Sequence, residues 1–128
     1  MADETKPPIG SISWADLTVD DADRVRDFYA SVTGWTPEPL SMGQYNDYVM
    51  KSADGTPVGG VCHARGSNAG APPLWLVYIV VPDLDQSVEK CLALGGELVM
   101  PIKDMGGQGR YCVFRDPAGA VAALCQSS

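Results

Sequence analysis

The feature that most constrains this chain is an internal repeat. Laid over itself at an offset of 62 residues, the sequence matches Val19 with Val81, Asp21 with Asp83, Asp23 with Asp85 and Gly34 with Gly96. Those positions mark a strand end, a helix cap, a first helical turn and a helix stop, so the coincidence is architectural. Residues 11–19 (SISWADLTV) alternate and are rich in β-formers, and residues 20–32 place Ala22, Val25, Phe28, Tyr29 and Val32 on one helical face. Asp20 or Asp21 caps that helix by accepting a backbone N–H, and Gly34 takes the left-handed turn past its end. Residues 74–81 (LWLVYIVV) repeat the strand. After Pro82-Asp83 a second helix carries Leu84, Val88, Cys91 and Leu92 on one face, ending at Gly95-Gly96.

Short strand candidates follow each helix, at 35–38, 45–51 and 58–64 in the first half and at 97–100, 110–115 and 121–126 in the second. Asp54-Gly55 and Asp116-Pro117-Ala118-Gly119 supply turn chemistry before the last strand of each half. The unit is βαβββ, twice. One such unit has an open sheet face and too little core to stand alone, which predicts an α+β fold in which both modules form one curled mixed sheet around a cup. With 128 residues the chain has the length of one domain. Its expected bounds are 9–126, with modules at 9–66 and 74–126, a Gly/Pro-rich linker at 67–73 (SNAGAPP) and a flexible N-terminus at 1–8.

Charge and cysteine usage limit the partners. A formal net charge of -7 opposes attraction to nucleic acid or anionic lipid. The longest apolar stretch, residues 74–81, is far short of the ~20 residues needed to cross a bilayer. The acidic, proline-containing N-terminus resembles neither a signal peptide nor an anchor. Cys62, Cys91, Cys112 and Cys125 form no CxxC pair, so reduced core cysteines in a cytoplasmic protein are expected.

The segments GSISWADLTVDDADRVRDFYASVTGW, DGTPVGGV, PPLWLVYIVVPDLD, LGGELV and GRYCVFRDPAGAVAAL, in that order, resemble the vicinal oxygen chelate superfamily. That superfamily includes glyoxalase I, bleomycin-resistance proteins and extradiol dioxygenases. Within it the chain is most similar to the group of lactoylglutathione lyase-related proteins, over residues 9–126. The resemblance implies a metal site built from a His or Glu five residues before the Val ending the first strand of each module. A Glu four residues past the Gly of the D-P-x-G turn would join them. Those positions hold Trp14, Leu76 and Ala123, and the fourth falls within Val58-Gly59-Gly60-Val61. None is a carboxylate, imidazole or thiolate donor, so no metal and no cofactor is expected.

A displaced metal site finds no support either. His63, the single histidine, neighbours Cys62 on a strand, and adjacent strand residues point to opposite faces. Asp47 and Glu97 are read as solvated or paired surface acids. Gly59-Gly60 reads as a close-packed strand, and Gly106, Gly107 and Gly109 as a hairpin loop rather than a phosphate loop.

The pleat then specifies the cup. If Ala15, Leu17 and Val19 pack under the first helix, Trp14, Asp16 and Thr18 face the other way. Leu76, Tyr78 and Val80, with Val121 and Ala123, do the same in the second module. An apolar, aromatic lining with one carboxylate suits a small apolar or planar ligand, bound by Trp14, Asp16, Tyr48, Leu76, Tyr78 and Ala123. Trp35 and Trp75 are expected outside it.

The primary reading is a metal-independent small-molecule binding protein that works as a homodimer, with exposed sheet edges inviting pairing. The alternative is a metal-independent lyase- or isomerase-like enzyme. There Asp16, its pKa raised by desolvation, is the general base, and Tyr48, Tyr78 or a backbone N–H holds the oxyanion. Blander readings pair Asp16 with an arginine such as Arg110, fill the cup with Trp14 and Tyr78 as core, or use it only as an interaction surface.

Overall fold

A computed structural model describes residues 7–105 and 107–127. Its elements run β1 (Ile12–Val19), α1 (Ala22–Thr33), β2 (Thr36–Ser41), β3 (Asn46–Lys51), β4 (Pro57–His63), β5 (Trp75–Val80), α2 (Leu84–Ala93), β6 (Glu97–Asp104), β7 (Arg110–Arg115) and β8 (Val121–Gln126), with a 3-10 turn at Gly66–Asn68. The class is α+β, and βαβββ occurs twice. The chain forms two compact units, residues 14–75 and residues 7–13 with 76–127, called the first and second below.

This division differs slightly from a break inside 67–73, and side-chain contacts explain why. The Trp75 indole donates to the Tyr29 hydroxyl at 3.0 Å and packs edge-on against Trp35, so Trp75 belongs with α1. Ser11 and Gly10 exchange backbone hydrogen bonds with Val80, which ties the start of the chain to β5.

Strand order in the first unit is β2-β3-β4-β1, with β1 parallel to β4 and the other pairs antiparallel. The second unit repeats this as β6-β7-β8-β5, with β5 parallel to β8. The helix ends form as their residues dictate. Asp21 accepts from the Arg24 N–H, Asp83 from the Gln86 N–H, and Gly34 turns at φ +80. Of the two candidate caps of α1, Asp21 takes the role.

Two strands run longer than expected, and both contain proline. Strand β2 passes through Pro37 and Pro39, whose spacing of two leaves both missing N–H groups on one edge. Strand β6 passes through Pro101, which lies within the second of two register shifts against β7, between Met100 and Lys103. Each is the terminal strand of its unit, with a ladder on one side only, which is where strand proline is tolerated.

Each helix covers one sheet face. In the first unit Ala22 meets Tyr48, Met50 and Val61, joined by Val19, Val25, Tyr29, Trp35 and Trp75. In the second, Leu84 meets Cys112 and Leu124, joined by Ile79, Val81, Val88 and Phe114. Fully burying a side chain the size of Met50 or Leu84 contributes roughly 1.5–3 kcal/mol. Among the described residues, Cys62, Cys91, Cys112 and Cys125 are free thiols. Cys112 and Cys125 are buried, whereas Cys62 and Cys91 are only half-buried, a correction to the expectation of four core thiols.

Candidate functional site

The parallel pairing of β1 with β4 fixes what the first unit displays away from α1. Leu17 pairs with Val61 and is buried, and Val19 joins the core beneath the helix. Alternation therefore sends Trp14, Asp16 and Thr18 to the opposite face, where Asp16 is paired with Gly60. The indole Nε1–H of Trp14 donates to Oδ1 of Asp16 at 2.6 Å. A charge-assisted bond of that length fixes both rotamers and sets a planar ring beside a directional acceptor.

Gly60 shapes the same spot. A Cβ at this position would overlap Oδ1 of Asp16 and would lie 3.7 Å from the Cys62 sulfur. The carboxylate thus occupies the space that a side chain on β4 would claim. Burial, together with the Asp16 and Asp47 carboxylates, pushes the Cys62 thiol well above its ordinary range. It is an unreactive proton-bearing neighbour rather than a nucleophile.

Tyr48 lies elsewhere. It pairs with Val61, is buried in the core beneath α1, and donates its hydroxyl proton to Asp23 while accepting from Arg26 Nη1 at 2.8 Å. The structure does not bring Tyr48 to the face of Trp14 and Asp16. Alternation in NDYVMK already pointed this way, because Tyr48 and Met50 are two apart and both pack under the helix.

Asp47 also corrects an expectation. Read as a surface acid, it is 4% exposed and accepts the backbone N–H of His63 at 2.9 Å. His63 itself sits with Nδ1 3.5 Å from Asp47, Nε2 3.9 Å from Asp23 and its ring edge-on to Tyr45. Among the described residues no three His, Cys, Asp or Glu side chains are grouped as metal ligands. Glu97 pairs with Arg115 at the surface, and Arg110 binds Asp85 and Gln126.

In the second unit, Ile79 and Leu124 pack under α2, so Leu76, Tyr78 and Val80, and with them Ala123, face away from it. Tyr78 pairs with Ala123 and lies 6.0 Å from the Tyr111 ring; Ala123 is fully buried, and Leu76 and Tyr78 are half-buried. The Tyr78–Ala123 and Asp16–Gly60 pairs occupy corresponding places in the two units. Of the four candidates in Val58-Gly59-Gly60-Val61, Gly60 is therefore the counterpart of Ala123. The β6–β7 connection is a hairpin loop closed by Met105 and Gly109, with Gly107 and Gly109 at positive φ; Gly106 lies outside the described residues. Trp35 stacks on Tyr29, and with Trp75 it lies on the α1 side of the first sheet.

Comparison with known proteins supplies the lineage. The described family Glyoxalase/Bleomycin resistance protein/Dioxygenase superfamily matches residues 11–124. The chain is 35% identical over 124 residues to "Putative glyoxylase CFP32" of Mycobacterium tuberculosis, covering 93% of this chain and 46% of that protein. It is 32% identical over 127 residues to "Anthracycline biosynthesis protein DnrV" of Streptomyces peucetius, covering 90% and 46%. The chain spans about half the length of these curated relatives. Among solved structures, methylmalonyl-CoA epimerase of Streptomyces coelicolor aligns with a TM-score of 0.58 at 12% identity, over 94% of this chain and 99% of that one. The Mn(II)-bound glyoxalase from Novosphingobium aromaticivorans aligns at 0.58 and 19% identity, over 92% and 39%. Those two likenesses show the fold. The repeated βαβββ unit, the D-P-x-G turn and a match running from β1 to β8 lead to one conclusion: this chain belongs to the Glyoxalase/Bleomycin resistance protein/Dioxygenase superfamily.

Proposed function

We propose that this chain is a small-molecule binding protein of its superfamily that works without the metal the resemblance would imply. The observation that carries the reading is the Trp14–Asp16 pair. On the first unit's face away from α1, an indole hydrogen-bonded to a carboxylate offers a stacking surface next to one oriented acceptor. Such a pair suits a small planar or apolar ligand with a single polar group. Within the second unit, the corresponding sheet face carries Leu76 and Tyr78, an apolar and an aromatic side chain.

The donor chemistry supports the metal-free part. Trp14, Gly60, Leu76 and Ala123 stand at the four positions that the resemblance assigns to ligands, and none offers a side-chain donor suited to a divalent ion. These residues do not fit the metal. Metal analysis after dialysis should find well under one equivalent of zinc, iron, nickel or manganese. An ion retained stoichiometrically, whose removal abolishes ligand binding, would overturn this reading.

A second reading is favoured by the fixed geometry of Asp16. A carboxylate held at 2.6 Å by an indole N–H is oriented to accept a proton from a bound ligand, as a general base requires. Asp16→Asn separates the two. A binder loses at most one polar contact, whereas an acid–base enzyme loses on the order of 10²–10⁴-fold in turnover while still binding.

A further inference from the structure

We infer that Gly60 is a positioning residue for this site, acting through Asp16; the inference rests on the Trp14–Asp16 pair being the binding site. Three observations converge on it. Gly60 is the register partner of Asp16 across the parallel β1–β4 pair. A Cβ on residue 60 would occupy the place of Oδ1 of Asp16, the same oxygen that accepts the Trp14 indole proton. In the second unit the equivalent strand position holds Ala123, beside Tyr78 rather than a carboxylate.

The physical consequence is specific. Glycine inside a strand weakens it and gives neighbours nothing to pack on, so such a glycine marks a site of close approach. The group making the approach here is the Asp16 carboxylate. It leans from β1 onto β4, and Trp14 clamps it there. With any side chain at residue 60, the short Asp16 side chain has to swing away, because it has only χ1 and χ2 to adjust. The backbone need not move, and the indole loses its acceptor. Gly60 thus decides where the carboxylate stands and which way the Trp14 ring faces.

Gly59 provides a contrast. Its missing Cβ would press on the Ala15 carbonyl oxygen and approach the Trp75 ring, which are backbone and core contacts. Substitution there tests packing, and substitution at Gly60 tests the placement of Asp16.

Proton–nitrogen correlation spectra of the ligand-free protein read this directly from the indole Nε1–H signals. Trp14 is assigned by its loss in Trp14→Phe. Trp75, which donates to Tyr29, serves as an internal control for the fold. In Gly60→Ala the Trp14 signal should move upfield, toward where Asp16→Ala places it, while the Trp75 signal stays put. Combining Gly60→Ala with Asp16→Ala should leave the Trp14 signal where Asp16→Ala alone leaves it. If Gly60→Ala fails to fold, the combined variant should fold, since it removes the overlapping carboxylate. A folded Gly60→Ala protein with an unmoved Trp14 signal would overturn the inference, as would a combined variant that remains unfolded. Because no ligand is present, failure here is distinguishable from failure of the binding assignment.

Discussion

Replacing Tyr48 with Phe separates the two faces of the first unit's sheet in one substitution. The Tyr48 hydroxyl joins β3 to the first turns of α1, donating to Asp23 and accepting from Arg26, whose guanidinium also sits 4.7 Å from the ring centroid. Hydrogen bonds to charged partners contribute about 1.5–3 kcal/mol when desolvated. The Asp23 side chain is 59% exposed and that of Arg26 26%, so water replaces much of what the phenol supplies. The net loss should fall near the lower end, about 1–1.5 kcal/mol. In a domain of this size that lowers the melting temperature by roughly 3–6 °C, and urea unfolding followed by circular dichroism at pH 7 should show the matching drop. The hydrogen bond to Asp23, reinforced by burial, raises the phenol's pKa above its ordinary value. A raised folded-state pKa contributes stability that is complete below about pH 10 and is lost as pH rises through the folded value. The Phe variant should lack that alkaline slope. Its Trp14 indole signal should be unchanged, because Tyr48 lies on the other face. Wild-type stability in Tyr48→Phe, or a shifted Trp14 signal, would refute the placement of Tyr48 as a helix anchor.

Three further outcomes are expected. Trp75→Phe removes the indole bond to Tyr29 and part of an aromatic cluster, so it should cost about 1 kcal/mol in thermal unfolding while leaving ligand affinity nearly unchanged. Burial pushes the Cys112 thiol up to about 11 and moves Cys62 upward as well; at pH 8 both should resist iodoacetamide in the native protein and label fully in urea, as read by mass spectrometry. Sedimentation at micromolar concentration should give about twice 13.6 kDa, and a clean monomer would count against the proposed homodimer.

The offset of 62 residues made the architecture legible because it joined helix caps and strand ends; the left-handed turn after α2 falls on Gly95 rather than on Gly96, the residue matched to Gly34. Those local signals depend on a few residues: Asp21 and Asp83 at the helix starts, Gly34 at a helix end. Alternation also placed Trp14 and Asp16 on the face away from α1. Their hydrogen bond is a matter of two residues on one strand face. What alternation could not supply was pairing across long sequence separation. Opposing Gly60 to Asp16 requires a parallel β1–β4 ladder spanning 44 residues, and nothing local in VGGV says which glycine meets which side chain. The burial of Asp47 is hidden from the sequence for a similar reason. Its burial depends on a backbone N–H offered by the next strand, and a carboxylate satisfied in that way looks from the sequence like any surface acid. Tyr48 carries two competing signals: its hydroxyl suits binding chemistry, while its spacing of two from Met50 sets both on the helix side of the sheet, where Tyr48 packs in the core.

The most direct test of the central claim is native mass spectrometry of the protein purified from its own host, comparing wild type with Trp14→Ala. The account predicts a co-purifying small organic molecule on the wild type, no retained metal ion, and loss of the adduct in Trp14→Ala, since losing a stacked aromatic anchor weakens binding by about 1–3 kcal/mol. A stoichiometric metal ion on the wild type, or an organic adduct held equally well by Trp14→Ala, would contradict it.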